Sequence, residues 1–269
     1  MRVVILVFAV IFGTCFGSFV CCQARRFRRM EQGGKKLGER SVCLGCGYQL
    51  KWYDNVPILS WIFLGGKCRK CGKKIGRLEL LAEILGGVVF GLYVASVPDF
   101  SSFSAIDFGN FFVTLVFLVS LGFLAIYDGM WGELPQVGLT FSVICGIILL
   151  ILKQWRWFLS TSSFEFLGGS LLSALGAVGV LGGVYFLLYF CSRGKLVGDG
   201  DWILGLALGL ALGDVFLAVL TMFFANALAA IVMLMMGKAK KGAKVYFGPW
   251  MILGYFIVLI GMETFMNIF

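Results

Sequence analysis

VVILVFAVIFGTCFGSFVCCQARRFRR, residues 3–29, decides the class of the fold. Val3 to Cys22 is one apolar run of the length that crosses a bilayer as a helix, about 20 residues. Arg25, Arg26, Arg28 and Arg29 follow it directly. The run is long for a signal peptide and lacks a small-residue cleavage site, so it reads as a retained helix with its C-terminal end in the cytoplasm. The rest of the chain agrees. Of 269 residues, 60% are hydrophobic and 14% charged, against about 25% charged in soluble domains. Mean hydropathy is +0.95. These values exclude an ordinary soluble enzyme and a disordered chain alike.

Beyond residue 22 the character changes. Residues 23–77 hold 14 Lys or Arg and two C-x2-C pairs, with few long apolar runs. Apolar segments then recur at 81–97, 110–127, 134–152, 164–191, 202–213, 215–236 and 245–268. With the first run they predict an all-α polytopic membrane protein of about eight transmembrane helices carrying one small cytoplasmic insert. The division expected is a first span at 1–22, a Cys-rich insert at 23–77 and a membrane domain at 78–269. With the N-terminus outside, 20 of the 23 Lys and Arg fall on the cytoplasmic side, as the positive-inside rule requires. The formal net charge of +9 is then a topology marker beside anionic lipid, and no nucleic-acid partner is expected. Gly86-Gly87, Gly168-Gly169, Gly182-Gly183 and Gly205/Gly209/Gly213 read as close helix packing.

The insert spaces its cysteines as C-x2-C-x21-C-x2-C: Cys43, Cys46, Cys68 and Cys71. Each C-x2-C turn aims two thiolates at one ion, and Gly45, Gly47 and Gly72 permit the tight turns. Four thiolates close a tetrahedral, zinc-ribbon-like structural site with no open position for water. The alternatives are two disulfides or four free thiols; cytoplasmic placement disfavours disulfides. Cys15, Cys21, Cys22, Cys145 and Cys191 read as small apolar packing residues.

The chain contains no histidine, so His-based triads, His general bases and His metal ligands are excluded. Two acids stand at span ends on one side of the predicted membrane. Asp128 lies in Tyr-Asp-Gly-Met-Trp-Gly-Glu-Leu-Pro, and Asp201 closes Gly198-Asp199-Gly200-Asp201. Ionisable groups at membrane depth are costly and mark functional sites. Two carboxyls held close share a proton: one takes a proton from attacking water, and the other donates to the carbonyl oxygen. Gly198 and Gly200 would let a substrate backbone approach. On the residues alone, solvated interfacial acids and the ion sites of a transporter remain open.

Together these features resemble a family, the bacterial prepilin peptidases. Phe16-Gly17-Ser18-Phe19 resembles its N-terminal signature. Cys43-Leu-Gly-Cys46 followed by Asn55-Val56-Pro57-Ile58-Leu59-Ser60-Trp61 is similar to its first cysteine block. Cys68-Arg-Lys-Cys71 and Glu83 match the block that follows. Asp128 with Leu134-Pro135 resembles the first catalytic motif, Gly198-x-Gly200-Asp201 the second (G-x-G-D), and Phe247-Gly248-Pro249 a late motif. The resemblance implies an intramembrane aspartyl protease in which Asp128 and Asp201 are catalytic and the four cysteines bind structural zinc. It implies cleavage of the short basic leader of prepilin or pseudopilin precursors at the cytoplasmic face of the bacterial inner membrane. It also implies methylation of the new N-terminal amine with S-adenosylmethionine. Three positions depart from the pattern: Cys21 stands where the family often has Asn, Leu78-Glu79-Leu80 where it has Arg-Tyr-Pro, and Ile203 where it has Lys. The first two touch the side associated with methylation, so a cleavage-only G-x-G-D protease is the nearest alternative. Glu133 and Asp199 flank the two aspartates and are expected to attract the leader's basic side chains. Lys195 could replace the missing Lys near Asp201.

Overall fold

The computed structural model describes residues 2–33, 41–43, 45–97, 100, 103–161, 164–194, 197–235 and 246–266. Its architecture is helical throughout, and among the described residues the only β pairing is two isolated bridges. Contacts divide the chain into two compact units, Met1–Ser96 and Val97–Phe269. Among the described residues, six helices are long and apolar enough to cross a membrane, so the polytopic all-α class expected from composition is the class observed.

The first unit is built on two helices, α1 (Arg2–Glu31) and α3 (Arg77–Ser96), with a short α2 (Leu59–Phe63) in the segment between them. α1 runs past Cys22 through the arginine cluster, because no helix breaker interrupts Gln23–Glu31. The two long helices meet along small residues. A Cβ built on Gly13 would strike the backbone of Gly86, and one on Gly17 the carbonyl of Ala82. This is the small-xxx-small logic of membrane helix pairs. Outward-facing Val3, Phe8, Ile11, Phe12, Leu85 and Leu92 are exposed, a surface that hydrocarbon accepts and water does not.

The second unit begins with α4 (Ala105–Trp131). Ser104 caps its N-terminus by a reciprocal box with Asp107, and Gly132 ends it in the left-handed region at φ 70°. α5 (Gln136–Thr161) follows after a short turn. α6 (Phe164–Val178) continues through a π-helical segment, Gly179–Gly183, into α7 (Val184–Ser192), so the predicted 164–191 span is one helix with a π-bulge. Then come α8 (Asp199–Leu212), α9 (Val215–Met235) and α10 (Gly248–Met266).

α8 is the centre of this unit. Gly205 and Gly209 bring its backbone against Leu181 and Ala177, and Gly146 of α5 packs on the Ala207 carbonyl. Gly86, Gly87, Gly182, Gly205 and Gly209 therefore do pack closely. Gly168, Gly169 and Gly183 do not: a Cβ on any of them would meet nothing within 4 Å. Gly213 instead forms the left-handed cap of α8 at φ 64°. The Lys153 ammonium donates to the Ala211 and Leu212 carbonyls at 2.6 and 3.2 Å, satisfying the negative end of that helix. At 14 residues, α8 is about 21 Å long, short of a hydrocarbon core of about 30 Å. Its first turn, which carries Asp201, is therefore held inside the unit.

Candidate functional site

In the first unit the two C-x2-C pairs form near-identical knuckles. In each, the first cysteine's N–H donates across a turn, Cys43 to the Tyr48 carbonyl and Cys68 to the Lys73 carbonyl, both at 2.8 Å. Gly47 and Gly72 return the chain to the Cys43 and Cys68 carbonyls at 2.9 Å. They do so at φ 70° and 69°, which a side chain would strain. Antiparallel bridges Val42–Gln49 and Lys67–Lys74 close the knuckles.

The four sulfurs lie within 4.8 Å of one another, and Cys43 Sγ is 3.8 Å from Cys71 Sγ. A zinc tetrahedron with Zn–S near 2.3 Å has an edge of about 3.8 Å. All four cysteines are free thiols, so the disulfide alternative is not the one found. The electrostatics also call for a cation. The N–H groups of Gly45 and Cys46 push the Cys43 thiol down to about 6. The Lys73 N–H favours the Cys71 thiolate, yet the sulfurs of Cys46, Cys68 and Cys43 drive it up to about 11. Four thiolates cannot share this space without a positive ion. The cluster could hold a metal, and its donor set suits zinc.

Asp54 ties the two knuckles together. Its carboxylate accepts from the Arg69 guanidinium at 2.8 Å, from the Lys51 N–H at 3.2 Å and from the Tyr48 hydroxyl at 3.3 Å. Burial alone would raise this carboxyl; Arg69 and the Lys51 N–H outweigh burial and hold it below the usual carboxylate range. A second acid fixes the next loop. Leu59 N–H reaches the Pro57 carbonyl at 2.6 Å, closing a γ-turn with Ile58 at φ 63°, ψ −54°. A β-branched residue is rare and strained there. The buried Glu83 carboxylate accepts the Ile58 N–H at 2.6 Å and so anchors the loop to α3.

In the second unit, the last turn of α4 and the first turn of α8 bury Asp128 and Asp201, 4% and 7% exposed. Each carboxyl is anchored through one oxygen. Asp128 Oδ2 accepts the Gly248 N–H at 3.1 Å, one of the unpaired amides at the start of α10. Asp201 Oδ2 accepts the Gly198 N–H at 2.9 Å, the amide just before α8. Among the described residues, nothing hydrogen-bonds the Oδ1 of either. Leu134 packs on both Gly200, beside Asp201, and Gly248, beside Asp128. A Cβ on Gly200 would sit 2.7 Å from Leu134 Cβ; one on Gly248 would sit 2.7 Å from Asp128 Oδ2 and 3.4 Å from Leu134 Cδ2. Helix starts, glycines and one leucine thus surround two buried carboxyls, an arrangement able to exchange protons with a substrate reaching both free oxygens.

Glu133 and Asp199 are exposed, and Ile203 is half-buried on α8. Lys195 lies outside the described residues. Tyr185 is a neighbour that sequence reasoning missed. It is buried, its hydroxyl receives the Asn226 amide at 3.3 Å, and its ring packs on Phe247 at 5.3 Å. A lone tyrosine in an apolar run offers no signal of that placement.

Comparison with known proteins points the same way. Residues 11–97 match the family described as the bacterial peptidase A24 N-terminal domain. The chain is similar to the prepilin leader peptidase/N-methyltransferase of Neisseria gonorrhoeae, 30% identical over 232 residues, covering 83% of this chain and 72% of that protein. It is also similar to that of Stutzerimonas stutzeri, 28% identical over 248 residues, covering 88% and 79%. The Vibrio cholerae protein of the same name is 27% identical over 178 residues, covering 61% and 70%. No solved structure matches.

Proposed function

Since the chain belongs to the prepilin leader peptidase/N-methyltransferase family, we propose that it cleaves the short basic leader from type IV prepilin-like precursors and methylates the amine that cleavage exposes. The observation that carries the protease half is the anchoring of Asp128 and Asp201, each held by a helix-start N–H through one oxygen, with the other oxygen unbonded among the described residues. With one member protonated and one ionised, the ionised carboxylate takes a proton from water as it attacks the scissile carbonyl. The protonated member donates to the carbonyl oxygen and then helps the amine leave. The space over Gly200 is filled by Leu134, so the open approach expected at that glycine is occupied, and a substrate reaching Asp201 must displace that side chain or enter beside it.

For the methylation half, S-adenosylmethionine supplies the methyl group when bound. Cys43, Cys46, Cys68 and Cys71 hold a structural zinc that fixes the two knuckles. The protein lies in the bacterial inner membrane with its N-terminus outside, its Cys-rich insert at 23–77 in the cytoplasm and its protease domain within 78–269. That orientation rests on the Lys and Arg asymmetry.

The test is incubation of the full-length protein, in lipid, with a prepilin peptide and S-adenosylmethionine, followed by mass analysis of the product. The expected product lacks its leader and carries one N-terminal methyl group. An intact peptide overturns the protease reading. A cleaved but unmethylated product leaves the cleavage-only enzyme that the Leu78-Glu79-Leu80 departure favours.

A second expectation concerns the support of Asp128. Gly248→Ala adds a methyl group 2.7 Å from Asp128 Oδ2 and must push the carboxyl or the start of α10 aside. Displacing a catalytic group by well under 1 Å costs roughly tenfold to a hundredfold, so kcat for leader cleavage falls by that order while KM changes little. Gly168→Ala, where a Cβ meets nothing within 4 Å, is the matched control.

A further inference from the structure

Between its two knuckles the Cys-rich insert turns an apolar face outward. Phe63 is 84% exposed, Ile62 59% and Leu59 54%. At spacings of three and four residues they share one face of α2. Ser60, Trp61 and Leu64 take the opposite face and look into the unit, where they line a cavity with Cys21 of α1 and Glu83 of α3. The turn Trp52–Asp54 touches α2 and adds Trp52, 80% exposed. Large apolar side chains exposed together mark a surface that something else covers.

The depth of α2 says what that is. α3 has 20 residues, about 30 Å, and so needs its whole length to cross a hydrocarbon core. Glu83 lies six residues in from Arg77, the first residue of α3, about 9 Å along the helix. It also stands beside Gly17 of α1, whose added Cβ would lie 3.0 Å from Glu83 Cα. Gly17 is five residues inside the apolar run that ends at Cys22. Because Glu83 holds the Ile58 N–H at 2.6 Å, and Ile58 is the residue that opens α2, α2 begins below the level at which α3 starts. That places it no deeper than about 9 Å, within the 5–10 Å or so at which interfacial helices bury their apolar faces. Phe19 of α1 and Leu81 and Leu85 of α3 are exposed apolar side chains at neighbouring levels, so hydrocarbon reaches this far. The charge agrees. Residues 41–76 contain Lys51, Lys67, Arg69, Lys70, Lys73 and Lys74 against one acid, Asp54, a balance suited to phosphate headgroups.

We propose that α2 and Trp52 are an interfacial anchor. Leu59, Ile62 and Phe63 sit among phospholipid acyl chains at the headgroup boundary of the adjoining leaflet, and the lysines of the insert meet the lipid phosphates. The strained turn at Ile58, fixed by Glu83, is the device that drops α2 to that depth. The insert is then held to the bilayer at a third point, besides the two spans that carry its ends.

The test uses the full-length protein in nanodiscs of phosphatidylethanolamine and phosphatidylglycerol. Phe63→p-benzoylphenylalanine is irradiated, with and without a prepilin peptide, and the adducts are identified by mass. The expected main adduct adds the mass of one phospholipid in both cases. A main adduct to a second copy, to residues 97–269 of the same chain or to the prepilin peptide overturns the proposal. Hydrogen exchange gives an independent reading. In the parent, the amides of Ile62 and Leu64 bond the Ile58 and Ser60 carbonyls. Ser at both 62 and 63 is expected to speed exchange at amides 62 and 64 about tenfold or more, since two apolar side chains lose their burial in lipid. The amides of Cys43, Gly47, Cys68 and Gly72 keep their protection. Unchanged exchange at 62 and 64 overturns the anchor, and so does a joint loss at the knuckle amides, which would make this face a prop of the insert's own fold.

Discussion

Asp128→Asn and Asp201→Asn are each expected to abolish leader cleavage, with kcat/KM falling roughly 10³-fold or more, while the protein still inserts and folds. Asparagine keeps the size of the side chain and an oxygen that accepts the Gly248 or Gly198 N–H, so both helix starts keep their partner. What it removes is the ability to lose or carry a proton at the free oxygen. General acid–base groups contribute roughly 10²–10⁴-fold each, and groups acting as one unit are strongly non-additive. The double variant is therefore expected to be little worse than either single one. Peptide cleavage measured on purified variants decides it. Full cleavage by either one removes that aspartate from the mechanism.

Replacing Cys68 by Ser is expected to empty the proposed metal site and unfold the insert. The parent is expected to hold about one zinc per chain and Cys68→Ser close to none, read by elemental analysis. Apparent binding energies of structural zinc sites are about 10–16 kcal/mol, far more than the small apolar core of such an insert supplies. Hydrogen exchange should then show the amides of Cys43, Gly47, Cys68 and Gly72, now bonded across the knuckle turns, losing protection together. Acid acts in the same direction. Cys43 is depressed to about 6 by backbone N–H groups. Zinc is held by thiolates, so protonating them as the pH falls releases the ion and its contribution to folding. Zinc content unchanged in Cys68→Ser would overturn the four-thiolate site.

Much of this was legible before any coordinates. The membrane class followed from the length of apolar runs, because hydrocarbon thickness sets helix length directly. The cysteine spacing announced a four-sulfur cluster, because C-x2-C is a local turn whose geometry a few residues determine. Other features were named correctly but without their physical roles. Gly248 stood in a recognised motif, yet its N–H on Asp128 joins residues 120 positions apart. Glu83 was a matched glutamate, but its task is to hold a strained turn at Ile58. The glycine pairs looked alike in sequence, and only some of them pack. A glycine in an apolar run does not say which neighbour its helix will meet.

By itself, the sequence determined the all-helical membrane architecture, the four-cysteine cluster and the two aspartates worth testing, because each is written in local spacing or in composition. Only the tertiary structure decided that each aspartate is tethered through one oxygen to a helix-start N–H, that Leu134 packs on both Gly200 and Gly248, and that Glu83 holds the turn at Ile58. Those facts depend on which helix ends meet, and they are decided by close packing between segments distant along the chain.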